Sequence, residues 1–183
     1  MREDVLAFGE DERLVGTVCL PDGPVASGAV GQILFNAGIV PRTGPHRLNV
    51  KLARRLAARG IASIRFDLSG LGDSGRAPGA DSFETTAVRD LRQAMDTLAC
   101  EAGTGRFCLF GFCSGGRHAY ATAPLDARVA GIILYDTYAF PTPHSRLNRL
   151  WLRARHPMLR STGTFWARRV RTRSRRRLIH RAS

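Results

Sequence analysis

The residues with the clearest chemical potential lie in one glycine-rich stretch, Gly111-Phe112-Cys113-Ser114-Gly115-Gly116. An apolar run typical of a buried strand, Phe107–Phe110, precedes this stretch, and a helix is predicted after it. A strand, a sharp turn and a helix in that order can present a thiol or a hydroxyl to a substrate at the turn. The stretch therefore holds two candidate nucleophiles, a cysteine and the serine that follows it.

The glycines favour Cys113 over Ser114 as the nucleophile. In so tight a turn, we expect the side chains two places before and two places after the nucleophile to collide, and glycine at both places removes the collision. With Cys113 at the apex these places are Gly111 and Gly115, whereas Ser114 at the apex puts Phe112 at the first of them. A buried cysteine in a phosphate-binding turn is the competing interpretation, but no G-x-x-x-x-G-K-[ST] pattern is present.

Five apolar or alternating runs predict the strands that position this turn. Four of them alternate with predicted helices, which is typical of a mainly parallel sheet covered on both faces. We therefore predict an α/β fold with three layers, α/β/α, in which the last four strands are adjacent. Cys113 is expected at the carboxyl edge of the sheet, where ligands bind in open α/β sheets. The predicted strands are Leu14–Leu20, Val30–Phe35, Ile61–Phe66, Phe107–Phe110 and Val129–Tyr135.

Three helices are predicted between these strands. The first has apolar positions at spacings of three and four, and Asn49 is predicted to cap it. Asp81 or Ser82 is predicted to cap the second, which runs to about Cys100. The third follows the glycine-rich turn and ends near Ala123.

Length and composition narrow the class of protein. A chain of 183 residues suits one domain with a real core, and no apolar run approaches the roughly 20 residues of a membrane span. The N-terminus lacks the apolar stretch of a signal peptide. The cysteines show no zinc-ligand spacing and no C-x-x-C motif, so we interpret them as reduced thiols of a cytoplasmic protein and expect neither a metal nor a cofactor. They are Cys19, Cys100, Cys108 and Cys113.

The net charge of +13 is concentrated at one end of the chain. Residues 137–183 contain 13 arginines and no acidic residue, so we predict a core over residues 1–140 and a basic tail over residues 141–183. Residues 168–177 lack the spacing of apolar residues that a core requires and are predicted to be disordered. Residues 147–154 have apolar residues at the spacing of one face of a helix. Two interpretations of the tail remain: attraction to nucleic acid or an anionic membrane, and a final segment never selected to fold, which we favour.

Three motifs in order give the chain a family resemblance. Asn36-Ala37-Gly38 follows one strand, the Asp-x-x-Gly-x-Gly-x-Ser run of Asp67–Ser74 follows the next, and G-x-C-x-G-G follows the third. Over about residues 10–140 the chain resembles the first two thirds of the α/β-hydrolase superfamily. The loop motifs, with Gly44-Pro45-His46-Arg47, are similar to those of serine-aminopeptidase-like hydrolases, including exosortase-associated ones. The cysteine-containing turn is similar to that of dienelactone hydrolases.

The resemblance implies a hydrolase, or an acyltransferase, that acts on ester, amide or thioester bonds. It also implies that the helical face of residues 147–154 could begin a partial cap, because family members insert a cap after the last predicted strand. Cys113 would attack a carbonyl carbon as the thiolate, which the N-terminus of the following helix favours. The backbone N–H groups of Ser114 and Gly38 would hold the oxyanion.

The acid and the base of such a site are harder to identify. The superfamily places them on strands after the nucleophile, in the order acid and then histidine, and the resemblance implies that this last third is missing. Asp136 is the one acidic residue near a suitable strand end. His118 is predicted to pack away from the site and His46 to lie at a helix start. We therefore expect a truncated, weakly active hydrolase, or alternatively a non-catalytic protein that keeps the fold and uses its basic tail.

Overall fold

Six strands form one mixed sheet in the computed structural model, which describes residues 1–26 and 28–137. The order of the strands across the sheet is β1-β2-β4-β3-β5-β6. The strands are β1 (Arg2–Phe8), β2 (Leu14–Leu20), β3 (Val30–Leu34), β4 (Ser63–Phe66), β5 (Arg106–Phe112) and β6 (Val129–Tyr135).

The last four strands are adjacent and parallel, as predicted. β3 lies between β4 and β5, so that Ile33 pairs with Ile64 on one side and with Leu109 on the other. β6 pairs with β5 and is the last strand of the sheet within the described residues. The carboxyl ends of β3, β4 and β5 therefore meet at one edge, which brings the three motif-bearing loops together.

β1 was not predicted from the sequence. It pairs antiparallel with β2, and β2 in turn pairs antiparallel with β4. The N-terminal residues look too polar for a strand, but the Glu3 carboxylate accepts hydrogen bonds from Arg54 of the first helix and from Arg65 of β4. These partners come from distant parts of the chain, so local pattern cannot reveal them.

Three helices connect the strands: α1 (Leu48–Ala57), α2 (Phe83–Ala102) and α3 (Gly115–Thr122). The predicted cap of α2 is confirmed, because the Ser82 hydroxyl accepts a hydrogen bond from the Thr85 N–H at 3.2 Å. The predicted cap of α1 is wrong. The helix begins at Leu48, and Asn49 is buried in its first turn, where its side chain donates to the carbonyl oxygens of Phe35 and Arg42.

The helices cover both faces of the sheet, which confirms the α/β/α layers. Alternate residues of β3 point to opposite sides, with Ile33 in the larger core under α2 and Leu34 in a smaller core with Ala53 of α1. Leu91 and Met95 form part of the buried face of α2. The parallel strands, packed between these two cores, position the loops at the carboxyl edge.

Several predictions fall outside the described residues. These are the predictions for the basic tail of residues 141–183, with its apolar helical face and its run of arginines. Three histidines that the sequence could not place, His144, His156 and His180, also lie there. No helix in the described part of the chain has the length and apolar character needed to cross a membrane.

Candidate active site

Cys113 occupies the turn between β5 and α3, at the carboxyl edge of the sheet. Its φ angle is 51°, in the left-handed region that residues other than glycine rarely adopt. The Cys113 N–H donates to the Tyr135 carbonyl oxygen at 2.9 Å, so β6 holds this backbone conformation in place. Unfavourable backbone conformations of this kind cluster at functional sites, where the surrounding structure maintains them.

The glycines around Cys113 are required, although not for the reason expected. A Cβ on Gly111 would overlap the Cα of Gly116, not a side chain on Gly115. Gly115 instead faces the neighbouring strand, where an added Cβ would lie 2.8 Å from the Asn36 carbonyl oxygen. The glycine before the turn therefore lets α3 approach β5, and the glycine after it lets the turn approach the end of β3.

The loop after β3 brings Gly38 to the same turn. Gly38 has a φ of 58°, and the loop closes with a hydrogen bond from the Val40 N–H to the Ala37 carbonyl oxygen at 3.1 Å. The Gly38 N–H donates to the Ser114 Oγ at 2.7 Å. The structure thus brings together the two residues predicted to hold the oxyanion, through a side-chain contact that the sequence did not suggest.

Asn36 and Asp67 connect the first two loops of the site. The Asn36 side chain donates to the Asp67 carboxylate at 2.9 Å and to the Val40 carbonyl oxygen at 2.9 Å, and accepts from the Leu68 N–H at 2.6 Å. Both side chains are buried. Sequence analysis missed this pair, although a signal existed: each polar residue directly follows an apolar strand, and the two strands were predicted to be adjacent.

Arg42 is the cation that pairs with Asp67. Its guanidinium bridges the carboxylates of Asp67 and Asp73, with both N···O distances at 2.6 Å. Its backbone N–H also donates to Asp67 at 2.7 Å. A buried carboxylate with this many donors is well compensated, so Asp67 serves as an anchor for the loops.

A cavity of about 560 Å³ opens beside Ser114 and Gly38. Its lining is mostly apolar, which suits the hydrocarbon part of a ligand. The other residues that line it are Asn36, Ile39, Leu68, Leu71, Ser82, Phe83, Glu84, Arg117 and His118.

His118 faces this cavity, which corrects the prediction that it packs away from the site. It lies one helical turn beyond Ser114 on α3, which turns its ring toward the cavity, and it makes an edge-on contact with Phe83 at 5.3 Å between ring centroids. Burial lowers the pKa of its imidazole. Within the described residues no hydrogen bond joins His118 to Cys113 or Ser114.

Asp136 directly follows β6, with a φ of 50°, and it is exposed. In the part of the chain that the structure describes, its carboxylate makes no hydrogen bond with a histidine. His46 lies in the short turn Pro45–Arg47 before α1, in agreement with the predicted helix start. The role of Asp136 as the acid stays a prediction.

The four thiols differ in their surroundings. Burial raises the pKa of both Cys19 and Cys108, which disfavours their reactive thiolates. Cys100 is exposed on α2, and Cys113 is half-buried. No group of three or more acidic, histidine or cysteine side chains suited to a metal ion occurs among residues 1–26 and 28–137.

The fold and this edge of the sheet define a class of protein. The model of the alpha/beta hydrolase family matches residues 40–182, which is most of the chain. The protein belongs to the alpha/beta hydrolase family. A comparison by sequence with curated proteins found no match.

Solved structures show the same fold at low sequence identity. DcsB in complex with its substrate analogue is 17% identical with a TM-score of 0.61, over 88% of this chain and 54% of DcsB. The α/β hydrolase GrgF from Penicillium is 20% identical with a TM-score of 0.61, over 89% and 56%. An α/β serine hydrolase without a lid from Xanthomonas campestris is 22% identical with a TM-score of 0.55, over 73% and 59%. The chain thus spans little more than half the length of these proteins.

Proposed function

We propose that the protein cleaves or transfers an acyl group from an ester, amide or thioester, with Cys113 as the nucleophile. The observation that supports this most directly is the backbone of Cys113, held at a φ of 51° where β5 meets α3. Membership of the alpha/beta hydrolase family supports the same class of chemistry.

The first step of this reaction is acylation of Cys113. Its Sγ forms a bond to the carbonyl carbon, and the carbonyl oxygen becomes negatively charged. That oxygen accepts hydrogen bonds from the backbone N–H groups of Gly38 and Ser114, which stabilise the charge as it develops. The tetrahedral intermediate then breaks its bond to the leaving oxygen, sulfur or nitrogen. The leaving group takes up a proton from solvent, to which the Cys113 thiol lost its own, and a thioester remains on Cys113.

Ser114 lines the cavity and Cys113 does not, so an acyl group on Cys113 would reach into it from the turn, and its apolar lining favours an apolar group. Ile39, Leu68, Leu71 and Phe83 contribute hydrocarbon surface next to the oxyanion donors. Burying such a group contributes roughly 25 cal/mol for each Å² of apolar surface. Glu84 and Arg117, which form an ion pair at 2.6 Å, also line the cavity and leave little net charge there.

The second step, hydrolysis of the thioester, needs an activated water. Among the described residues, no histidine is hydrogen bonded to Cys113 as a base that could activate the water. Acylation depends less on a base, because thiols in general ionise more readily than hydroxyls near pH 7. We therefore expect acylation to outpace hydrolysis in this chain, which gives weak steady turnover.

A burst experiment tests the proposal. With 4-nitrophenyl butyrate, we expect release of at most one nitrophenolate per chain, followed by a slow steady state. Mass spectrometry of the digested protein should find the butyryl group on Cys113, and Cys113→Ala should abolish the burst. Cys100→Ala, which removes the exposed thiol of α2, is the matched control and should retain it.

Two results would contradict the proposal in different ways. A butyryl group on Ser114 that persists in Cys113→Ala would show that the serine is the nucleophile. Sustained turnover by the 183-residue chain would show that a base, with Asp136 or another acid, does serve Cys113.

A further inference from the structure

The Ser114 hydroxyl occupies a hydrogen bond that the proposed reaction needs. In the free protein the Gly38 N–H donates to the Ser114 Oγ at 2.7 Å. If Cys113 is the nucleophile, this N–H must instead donate to the carbonyl oxygen of the substrate. The hydroxyl oxygen therefore lies where the oxygen of the substrate would bind.

Among residues 1–26 and 28–137, the Ser114 hydroxyl makes no hydrogen bond that competes with the one from Gly38. Serine at the start of a helix usually accepts a hydrogen bond from a backbone N–H of the first turn, with its own backbone extended. Ser114 has helical φ and ψ angles of −62° and −26° and makes no such cap. Its hydroxyl is consequently free to satisfy the Gly38 N–H.

The other expected oxyanion donor, the Ser114 N–H, is not occupied by any part of the chain that the structure describes. Within the described residues, the Ser114 N–H donates to no backbone carbonyl, whereas the next N–H groups of the turn do: Gly116 to Cys113 and Arg117 to Ser114, both at 3.2 Å. One donor of the pair is therefore available to a ligand, and the other is occupied by a side chain of the same turn.

We propose that the Ser114 hydroxyl competes with the substrate for the Gly38 N–H and thereby slows acylation of Cys113. This inference rests on the proposed function. A neutral hydroxyl is a weaker acceptor than a charged oxygen, so the developing oxyanion displaces it late in the step. The displacement therefore raises the activation free energy of acylation. A reaction of the Cys113 thiol that forms no oxyanion is unaffected.

The test compares two reactions of the same thiol in the intact protein. Acylation by 4-nitrophenyl butyrate breaks the ester C–O bond and passes through an oxyanion, whereas alkylation by iodoacetamide displaces iodide and does not. Ser114→Ala is expected to raise the rate constant of acylation about 2- to 10-fold, the value of one hydrogen bond. The rate of alkylation should stay unchanged.

Two further variants separate the effect of the hydroxyl on acylation from an effect of the substitution on folding. Ser114→Gly also lacks the hydroxyl and should show the same gain, which keeps the test available if Ser114→Ala unfolds. Ser114→Thr keeps a hydroxyl and should show no such gain. Thermal unfolding of each variant checks that the fold is retained.

The remaining outcomes would overturn the inference. An unchanged ratio of acylation to alkylation in Ser114→Ala would show that the contact has no kinetic consequence. A lower ratio, with the adduct still on Cys113, would show that the hydroxyl assists acylation. Failure of the proposed function is distinguishable from both, since the wild-type protein would then give no adduct on Cys113.

Discussion

His118 is the residue whose surroundings bear most directly on pH dependence. Its side chain is 9% exposed and contacts the Phe83 ring. Burial lowers the pKa of the imidazole, and of the charged groups near it, Glu84 on α2 acts in the opposite direction and Arg117 on α3 in the same direction. The folded protein therefore favours the neutral imidazole.

The lowered pKa predicts a loss of stability in acid. The imidazole of the unfolded chain binds a proton near pH 6.5, whereas that of the folded protein binds one only at lower pH. Protonation below about pH 6.5 therefore favours the unfolded chain. The contribution of His118 to the free energy of unfolding is present in full above about pH 6.5 and is lost as the pH falls through the lowered pKa. The slope should reach at most about 1.4 kcal/mol per pH unit between the two pKa values. Urea unfolding between pH 8 and pH 5 measures it.

His118→Phe keeps an aromatic ring against Phe83 and removes the titrating group. We expect this variant to resemble the wild-type protein at pH 8 and to lose less free energy of unfolding as the pH falls. Identical pH dependence in the two proteins would mean that the histidine does not change its proton affinity on folding.

At the scale of elements, the site depends on how the ends of β3 and β4 are joined. Asn36 follows β3 and makes three hydrogen bonds of 2.6 to 2.9 Å, with Val40, Asp67 and Leu68. Two of these partners lie after β4, and Val40 closes the loop that carries Gly38. A single buried amide thus sets the position of the Gly38 N–H relative to the sheet.

Asn36→Ala should therefore lower both stability and reactivity. The substitution leaves buried polar groups without partners, and we expect a loss of about 2 to 4 kcal/mol in the free energy of unfolding. The acylation rate of Cys113 should fall as well, because the Gly38 loop is no longer held. Urea unfolding and the nitrophenolate burst measure the two effects.

Asn49→Ala is the matched control, since Asn49 is equally buried and, among the described residues, its side chain makes two longer hydrogen bonds, of 3.5 and 3.2 Å. Asn49→Ala should lower the free energy of unfolding by less than Asn36→Ala does, and it should leave the rate of the nitrophenolate burst unchanged. If both variants slowed acylation equally, the bridge between the two loops would have no special role.

At the scale of the whole molecule, the charge distribution is the feature that the fold does not explain. Residues 1–136 have equal numbers of acidic and basic residues, and all of the excess positive charge lies beyond them. Binding of nucleic acid or an anionic membrane through this segment stays a proposal.

Salt dependence tests that proposal. If the arginines of residues 168–177 contact phosphates, affinity for a duplex DNA should fall steeply between 50 and 200 mM salt, by about 10³-fold for six contacts. Deletion of these ten residues should abolish the binding and leave the melting temperature nearly unchanged. Binding that is insensitive to salt would exclude phosphate contacts, and a melting temperature lowered by several degrees would show that the segment packs.

The sequence by itself determined five of the six described strands, the three helices and the place of the reactive turn, but not β1. Strands and helices were predictable because the periodicity of apolar residues is a local property, and β2 and β6 have the predicted bounds. The location of Cys113 at the carboxyl edge followed from the same reasoning, since glycines mark the turn within a few residues of it. The alpha/beta hydrolase family was recognisable from three such local motifs.

Only the tertiary structure decided which side chains meet at that edge. The strand order β4-β3-β5 places Gly38 against Ser114, 76 residues away, and Asn36 against Asp67, 31 residues away. The direction of His118 likewise depends on how α3 packs beside α2. Hydrogen bonds act over about 3 Å, so the partners of a polar side chain depend on the packing of whole elements, which no local pattern encodes.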